Sequence, residues 1–231
     1  VLQFMIPVIG TFHGSDLNNF RNRIFSNFSN FFCFKSIVVS RYLFDKIWFN
    51  YKTSVIPCGV DFDVFYPIDK KIARNKMKIN KKDIIILFSS SFDRKIKNYK
   101  LAKNAIDLLN SKEKYQINII ELKGYNRQEI NLLLNSSDIA LMTSFKEGSP
   151  QFIKEAMACN VPIISTDVGD VKDNIKFTEG CFIVGHDPKI IADKIELLIK
   201  NNNKTKGRIN IKKFDNKKIA KKIVNIYNSI I

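Results

Sequence analysis

The stretch that most constrains the fold is 146–162, where a glycine-containing loop turns into a helix. Apolar, strand-like runs flank it on both sides. Gly148 permits a tight turn, Ser149 is a good N-cap, and Pro150 suits the first helical position. Apolar residues then recur at helical spacing until the turn that contains Pro162. The sequence therefore predicts a strand, a loop, a helix and a second strand in succession.

A helix that begins at such a loop turns unpaired N–H groups and the positive end of its dipole outward. We therefore expect an anion at the N–H groups of residues Gly148 to Gln151. Glu147 lies at the mouth of this site and Glu155 on the helix. Because carboxylates accept hydrogen bonds strongly from hydroxyl groups, two acids beside an anion site favour a nucleotide-sugar. The spacing leaves open that Glu147 is solvated and Glu155 is a surface residue paired with a lysine.

The run from Glu147 to Pro162 resembles the paired-glutamate signature of the retaining GT-B glycosyltransferases of the family 4 type, also called glycosyl transferases group 1. That signature is Glu-Gly-x-Pro, four further residues, Glu-Ala-Met-Ala and a short turn ending in Pro, and every fixed position is filled here. The resemblance implies a nucleotide-diphosphate sugar as donor substrate, with no cofactor and no metal. It places Glu147 near the reacting sugar carbon and Glu155 at the ribose hydroxyls.

A basic loop follows the apolar run 84–89. If that run is a strand of a parallel sheet, Arg94 and Lys97 lie at its carboxyl edge, where a diphosphate would bind. Lys97 and the following Asn resemble the family's Lys-Gly or Lys-Asn pair, whose lysine grips the phosphates. Most members have an arginine five residues before that lysine, where Phe92 stands here, so Arg94 resembles a subgroup variant. The alternative interpretation is a solvated basic loop.

Residues 11–16 read Thr-Phe-His-Gly-Ser-Asp. They resemble a Thr-x-His-Gly-x-Asp loop that ends a strand of the family's N-terminal domain and faces the donor sugar across the cleft. On that resemblance His13 is a candidate catalytic residue. Without the resemblance, we would interpret His13 as a loop histidine with a satisfied hydrogen bond.

Strands alternate with helices from residue 54 to residue 199, which favours an α/β fold with a parallel sheet covered on both faces. The resemblance implies a GT-B arrangement of Rossmann-like domains. We predict the end of an N-terminal, acceptor-side domain over 1–53, a nucleotide-sugar-binding domain over 54–212, and a terminal helix over 213–231 that packs back towards the N-terminal part. The chain is either a fragment or has a much reduced acceptor half.

The net charge of +16 is the abnormal bulk property, and it attracts polyanions. Aromatic and aliphatic side chains alternate with basic ones over 17–35, and they predict either a helix on a membrane or the core face of a helix. We favour the core for most rings. The apolar residues of this pattern are Phe20, Ile24, Phe25, Phe28, Phe31 and Phe32. No apolar run approaches the ~20 residues of a membrane span. The four separated cysteines suggest reduced thiols. The expected location is cytoplasmic, at the inner face of the cell membrane.

These observations predict a retaining glycosyltransferase that moves a sugar from a nucleotide-diphosphate sugar to a polysaccharide or lipid-linked acceptor in cell-envelope glycan synthesis. The alternative is a non-catalytic basic module that binds an anionic membrane or nucleic acid on an inactive glycosyltransferase fold. Nucleic acid ranks lower because aromatic and basic residues do not interleave as in a single-strand groove. A sugar-nucleotide epimerase would lack the Glu-Ala-Met-Ala run.

Overall fold

The computed structural model describes residues 6–111, 115–201 and 204–230. Its first β-sheet contains three strands that lie in sequence order, namely β1 (Ile9–Phe12), β2 (Lys35–Val38) and β3 (Thr53–Val55). Both neighbouring pairs are parallel, with Ile9 opposite Lys35 and Ser36 opposite Thr53.

The second sheet contains five parallel strands, and their order reverses once. The strands are β4 (Ile84–Phe88), β5 (Ile117–Glu121), β6 (Ile139–Met142), β7 (Ile163–Thr166) and β8 (Cys181–Val184), and they lie in the order β5-β4-β6-β7-β8. The chain moves from β4 outward to β5 and then crosses back to β6. In open parallel sheets, ligands bind outside the carboxyl ends of the strands at such a reversal. The topology therefore places a site at the ends of β4 and β6.

Helices connect the strands, as parallel pairing requires. The first part contains α1 (Gly14–Asn18), α2 (Phe20–Phe32) and α3 (Arg41–Phe44). The rest contains α4 (Lys70–Met77), α5 (Tyr99–Asn110), α6 (Arg127–Ser136), α7 (Gln151–Ala158), α8 (Val171–Ile175), α9 (Pro188–Asn201), α10 (Gly207–Asn210) and α11 (Asn216–Asn228).

Apolar side chains fill both faces of the second sheet. On one face, Leu87 and Met142 pack in a cluster that includes residues of α6, α7, α8 and α11. On the other face, Ile86 and Phe88 pack with residues of α5 and α9. Successive strand residues point to opposite faces, so a strand covered on both sides is apolar throughout. The predicted α/β class, with a parallel sheet covered on both faces, is confirmed.

A buried arginine ties α4 to the start of β6. The guanidinium of Arg74, which is 4% exposed, donates to the carbonyl oxygens of Ser136, Asn80 and Lys81 and to the carboxylate of Asp138 at 2.9 Å. The same carboxylate accepts from the backbone N–H of residue 85 at 2.7 Å. Asp138 therefore couples a helix to two neighbouring strands.

The aromatic side chains of α2 do not form the core that we favoured from the sequence. Phe25 and Phe28 are 72% and 65% exposed, and the fully buried side chains of this helix are Asn27 and Asn30. Their amides donate to the backbone carbonyls of residues 46 and 49. Because these amides face the rest of the molecule, the rings lie on the opposite side. There they contact one another edge to face, and Phe28 lies 5.1 Å from the ring of Phe32.

The predicted boundary after residue 53 falls inside β3, which pairs with β2 through Thr53–Val55. At the other end, α11 returns to the first part: the ammonium of Lys35 donates to the hydroxyl of Ser229 at 2.6 Å. Residues 1–5 of the first predicted domain and residue 231 of the last lie outside the described residues. The three-part division itself stays a prediction.

Within the described part, none of the helices has the length and apolar character that crossing a bilayer requires.

We expect replacement of Arg74 by methionine to lower the free energy of unfolding by roughly 3 kcal/mol or more. The substitution leaves three carbonyl groups without their buried donor and removes one of the two cations that pair with Asp138, the other being Lys70. Urea unfolding of the purified protein measures this. The control is Arg41→Met, which removes an exposed pair with Asp45 and should change the free energy by less than about 0.5 kcal/mol. Equal costs for the two substitutions would contradict the interpretation.

Candidate active site

A cavity of about 750 Å³ opens at the carboxyl ends of β4 and β6, between the second sheet and α1. Every residue that the sequence nominated for the site lines it, namely His13, Arg94, Lys97, Glu147, Gly148, Ser149, Pro150, Gln151 and Glu155. These residues come from three separate stretches of chain. The structure therefore brings them together on one cavity wall, and the role of each stays a prediction.

The basic loop after β4 is held by the end of β6. Lys97 ends a short 3₁₀ turn, and Asn98 follows in the left-handed region at a φ of 54°. The hydroxyl of Thr143, directly after β6, lies 3.1 Å from the carbonyl oxygen of Lys97 and 2.9 Å from that of Asn98. This contact fixes the backbone from which the Lys97 side chain enters the cavity. Arg94 is exposed, and its guanidinium lies 3.5 Å from the hydroxyl of Ser90.

Lys97 and Glu147 form an ion pair inside the cavity. The ammonium lies 2.6 Å from Oε1 of Glu147, and the two side chains are 12% and 15% exposed. The hydroxyl of Ser144 donates to the same carboxylate oxygen at 2.7 Å. An ammonium has three donors, so Lys97 can hold Glu147 and still reach an anion beside it. The pair places a fixed cation and a fixed hydroxyl acceptor next to each other.

Helix α7 begins one residue later than predicted. Pro150 occupies the N-cap position with no side-chain cap, so the predicted N-cap role of Ser149 is wrong. The Ser149 hydroxyl instead donates to Asp170 at 2.6 Å, because a buried charged cluster lies beneath the loop. Pro150 has no N–H, but within the described residues no acceptor takes the N–H groups of Gly148, Ser149 or Gln151. The predicted anion donors are therefore available.

Two side chains of α7, those of Gln151 and Glu155, also lie at the cavity. The Gln151 amide donates to the carbonyl oxygen of Gly59 at 2.8 Å, which leaves its backbone N–H for the cavity. Glu155 is half-buried and also lines the cavity. Burial raises the pKa of the Glu155 carboxyl to about 7, and the nearby Arg127 guanidinium opposes that rise. Glu155 is thus not the solvated, lysine-paired residue of the alternative interpretation.

The loop that carries His13 meets the glycine loop directly. A Cβ atom on Gly148 would lie 2.8 Å from the backbone nitrogen of Gly14, so the two backbones are in contact. The exposed His13 uses its backbone N–H to bind the Asp16 carboxylate at 2.6 Å, and its ring lies at the cavity. The amide of Asn18 donates to the carbonyl oxygen of Glu147 at 2.9 Å.

Asn18 is a residue of this site that sequence reasoning missed. Its Oδ1 accepts from the ammonium of Lys46 at 2.5 Å, which orients the amide towards Glu147. Nothing in the local sequence marks Asn18, because its partner lies 129 residues away along the chain. Within the described residues, no group of three or more His, Cys, Asp or Glu side chains could hold a metal ion. The expectation of neither metal nor cofactor stays a prediction.

We expect Gly148→Ala to destabilise the protein by roughly 1–3 kcal/mol, because the added methyl group meets backbone atoms of Gly14 and must separate the two loops. The control is Gly185→Ala, since a Cβ there has no atom within 4 Å. Urea unfolding should show less than about 0.5 kcal/mol for the control. A Gly148→Ala protein as stable as the control would show that the loops are not packed as described.

The raised pKa of Glu155 predicts pH-dependent stability. A carboxyl whose pKa is higher in the folded state than its ordinary value of 4.5 favours folding at low pH, and this contribution is lost as the pH rises through about 7. We therefore expect Glu155→Gln to be more stable than the unsubstituted protein by roughly 1–3 kcal/mol at pH 8, with the difference shrinking towards pH 4.5. Urea unfolding across this range measures it. Glu179→Gln at an exposed position should show no such trend, and a pH-independent difference for Glu155→Gln would refute the prediction.

Residues 113–214 match the family described as glycosyl transferases group 1. This span contains both glutamates, the glycine loop and α7. The chain is 30% identical over 114 residues to the N,N'-diacetylbacillosaminyl-diphospho-undecaprenol alpha-1,3-N-acetylgalactosaminyltransferase of Campylobacter jejuni, a match that covers 46% of this chain and 30% of that protein. It is 26% identical to an uncharacterized glycosyltransferase of Methanocaldococcus jannaschii, over 97% of this chain and 69% of that one.

Solved structures share the fold. Sucrose-phosphate synthase from Thermosynechococcus elongatus superposes with a TM-score of 0.82 at 18% identity, over 99% of this chain and 69% of the other. The Anabaena protein HepE in complex with UDP-glucose superposes with a TM-score of 0.75 at 17% identity, over 96% of this chain and 72% of that one. The fold therefore extends over both sheets, and residues 113–214 match the glycosyl transferases group 1, the family whose paired-glutamate motif this sequence resembles.

Proposed function

We propose that this protein transfers a sugar from a nucleotide-diphosphate sugar to a glycan or lipid-linked acceptor, with retention of anomeric configuration. The observation that carries the proposal is the convergence of the two glutamates, the basic loop and the free N–H groups of the glycine loop on one cavity. Its volume of about 750 Å³ lies within the range of pockets that enclose small ligands.

The proposed chemistry depends on stabilising charge. As the bond from the sugar to the diphosphate breaks, the sugar carbon becomes oxocarbenium-like and negative charge grows on the departing phosphates. Donors fixed in advance around that charge lower the barrier. Lys97, Arg94 and the N–H groups of Gly148, Ser149 and Gln151 are such donors, and the positive end of α7 adds to them.

The two glutamates have separate roles in this proposal. A diphosphate beside Lys97 accepts from the ammonium donors that Glu147 leaves free, and the Glu147 carboxylate accepts from hydroxyl groups of the donor sugar near the reacting carbon. Glu155, which lies within α7, accepts from the ribose hydroxyls. His13 faces the sugar from the loop after β1.

The relatives support the donor and acceptor classes. One solved neighbour is a complex with UDP-glucose, which supports a nucleotide-diphosphate sugar as donor. The Campylobacter jejuni relative is named for a diphospho-undecaprenol substrate, which supports a lipid-linked acceptor and a place in cell-envelope glycan synthesis. We propose a cytoplasmic protein bound to the inner membrane face, since the exposed rings of α2 lie on the same helix as Arg21 and Arg23.

The alternative function is a non-catalytic binding module, and the net charge of +16 is the observation that favours it. Binding to nucleic acid through that charge would fall steeply with salt. Nucleotide binding that uses the Glu155 carboxylate and the N–H groups of α7 would persist at the same salt concentration.

The test begins with a binding panel of uridine, guanosine and adenosine diphosphates and their sugars, measured by thermal shift and calorimetry. With the nucleotide that binds, we expect Glu155→Ala to weaken affinity about tenfold or more, because a charged acceptor for the ribose is lost. We expect Glu147→Ala to leave affinity within about threefold and to slow release of nucleoside diphosphate from the sugar nucleotide by about 100-fold.

Glu179→Ala, at an exposed position outside the cavity lining, is the matched control and should change neither quantity. If Glu147→Ala and Glu155→Ala both behave like this control, the assignment of the two glutamates is wrong. If no nucleoside diphosphate binds at all, the proposed donor class is wrong.

A further inference from the structure

Lys154 is a fully buried lysine in the helix that borders the cavity. Its ammonium donates to the carbonyl oxygen of Cys58 at 2.9 Å and to the hydroxyl of Ser149 at 2.5 Å. It lies 3.6 Å from Oδ2 of Asp170 and 5.1 Å from the ring centroid of Phe214. One side chain thus contacts four segments that are distant in sequence.

Asp170 completes this cluster from the turn after β7. It is 8% exposed and accepts from the Ser149 hydroxyl at 2.6 Å through Oδ2, while its Oδ1 has no partner among the described residues. Ser149 therefore accepts from Lys154 and donates to Asp170. The preceding Gly169 has a φ of 60°, and a Cβ there would lie 2.5 Å from the carbonyl oxygen of Gly148. The backbone contact of Gly169 and the hydrogen bond of Asp170 therefore both hold the loop that contains Gly148 and Ser149.

Stability alone does not account for this arrangement. Taking two charges out of water costs more than their attraction commonly returns, and apolar side chains of similar size often stabilise a core better. Burial lowers the pKa of the Lys154 ammonium, and the charge of Asp170 opposes that shift. The Lys154–Asp170 pair instead positions the loop at Ser149, because each hydrogen bond of the cluster has one fixed direction.

The segments that the cluster connects are those that form and border the cavity. Ser149 lies between Gly148 and the first turn of α7, whose N–H groups face the cavity. Cys58 lies in the connection between the two sheets, and the next residue, Gly59, accepts from the Gln151 amide at 2.8 Å. Two side chains of α7 therefore hold the same inter-sheet connection.

We infer that Lys154 is a positioning residue: together with Asp170 it fixes Ser149, and with it the loop Glu147–Pro150, against the inter-sheet connection at Cys58. What this loop binds rests on the proposed function, but the fixing of the loop does not. Without the cluster, the N–H groups at the start of α7 lose their common orientation.

The experiment compares three variants of the whole chain, Lys154→Met, Asp170→Asn and the double variant that carries both. Each single variant leaves one buried charge without its partner, whereas the double variant leaves none. The matched control is Lys172→Met with Asp167→Asn, which removes an exposed lysine–aspartate pair at the same turn, 3.9 Å apart with side chains 63% and 51% exposed. Melting temperature, amide order parameters from ¹⁵N relaxation and nucleoside diphosphate affinity are measured on all of them.

We expect Lys154→Met to lower the melting temperature and the double variant to recover most of that loss. In both, the order parameter of the Gly148 amide should fall from about 0.85, typical of rigid backbone, towards 0.6 or below. Affinity for the nucleoside diphosphate that the unsubstituted protein binds should fall at least tenfold in both. The control should keep all three quantities.

A double variant with recovered stability and a rigid Gly148 amide would overturn the inference, since the cluster would then be merely structural. The measurements of melting temperature and of the order parameter need no ligand. If the unsubstituted protein binds no nucleoside diphosphate, the proposed function fails while the order parameters still decide the role of Lys154. If Lys154→Met does not fold, the order parameter of the Gly148 amide in the double variant tests the inference.

Discussion

Backbone contact at Gly148 is the constraint on which the rest of the site depends. Gly14, the first residue of α1, approaches it from one side and Gly169 from the turn after β7. In both places a side chain would occupy the space of a backbone atom. Because no rotamer change can relieve a clash between backbones, the three segments have one mutual arrangement. The cavity, the Asn18 contact to Glu147 and the start of α7 all follow from it.

The site supplies its own countercharge when no ligand is bound. Lys97 is paired with Glu147, and Lys154 is neutralised by Asp170, so neither buried ammonium lacks an anionic neighbour. The two pairs differ in access, since the first lines the cavity and the second lies beneath the loop. An incoming anion can therefore bind beside the first pair, while the second pair keeps the loop in place.

Local chemistry explains which features could be predicted from the sequence. Glycine, proline and apolar spacing act over a few residues, so the loop, the helix after it and the α/β class were predictable, and the motif resembled the family that residues 113–214 match. The placement of Arg94, Lys97 and both glutamates at one cavity also followed, because parallel strands end at the same edge. His13 follows a strand of the other sheet, and it was the family resemblance that nominated it. Other features required the folded chain. The pattern of α2 showed an amphipathic helix, but which face is covered depends on buried Asn27 and Asn30. The Ser149 hydroxyl does not cap α7 because it donates to Asp170, which lies 21 residues away in sequence.

In the proposed function, the half-buried carboxyl of Glu155 links ribose binding to proton release. Because burial raises its pKa to about 7, this carboxyl exchanges a proton with the solvent around neutral pH. Hydroxyl groups bind more strongly to the charged form, so a ribose at this position selects carboxylate and drives that proton into the solvent. The heat of association then includes the ionisation of the buffer, and the apparent affinity rises with pH until Glu155 is fully ionised.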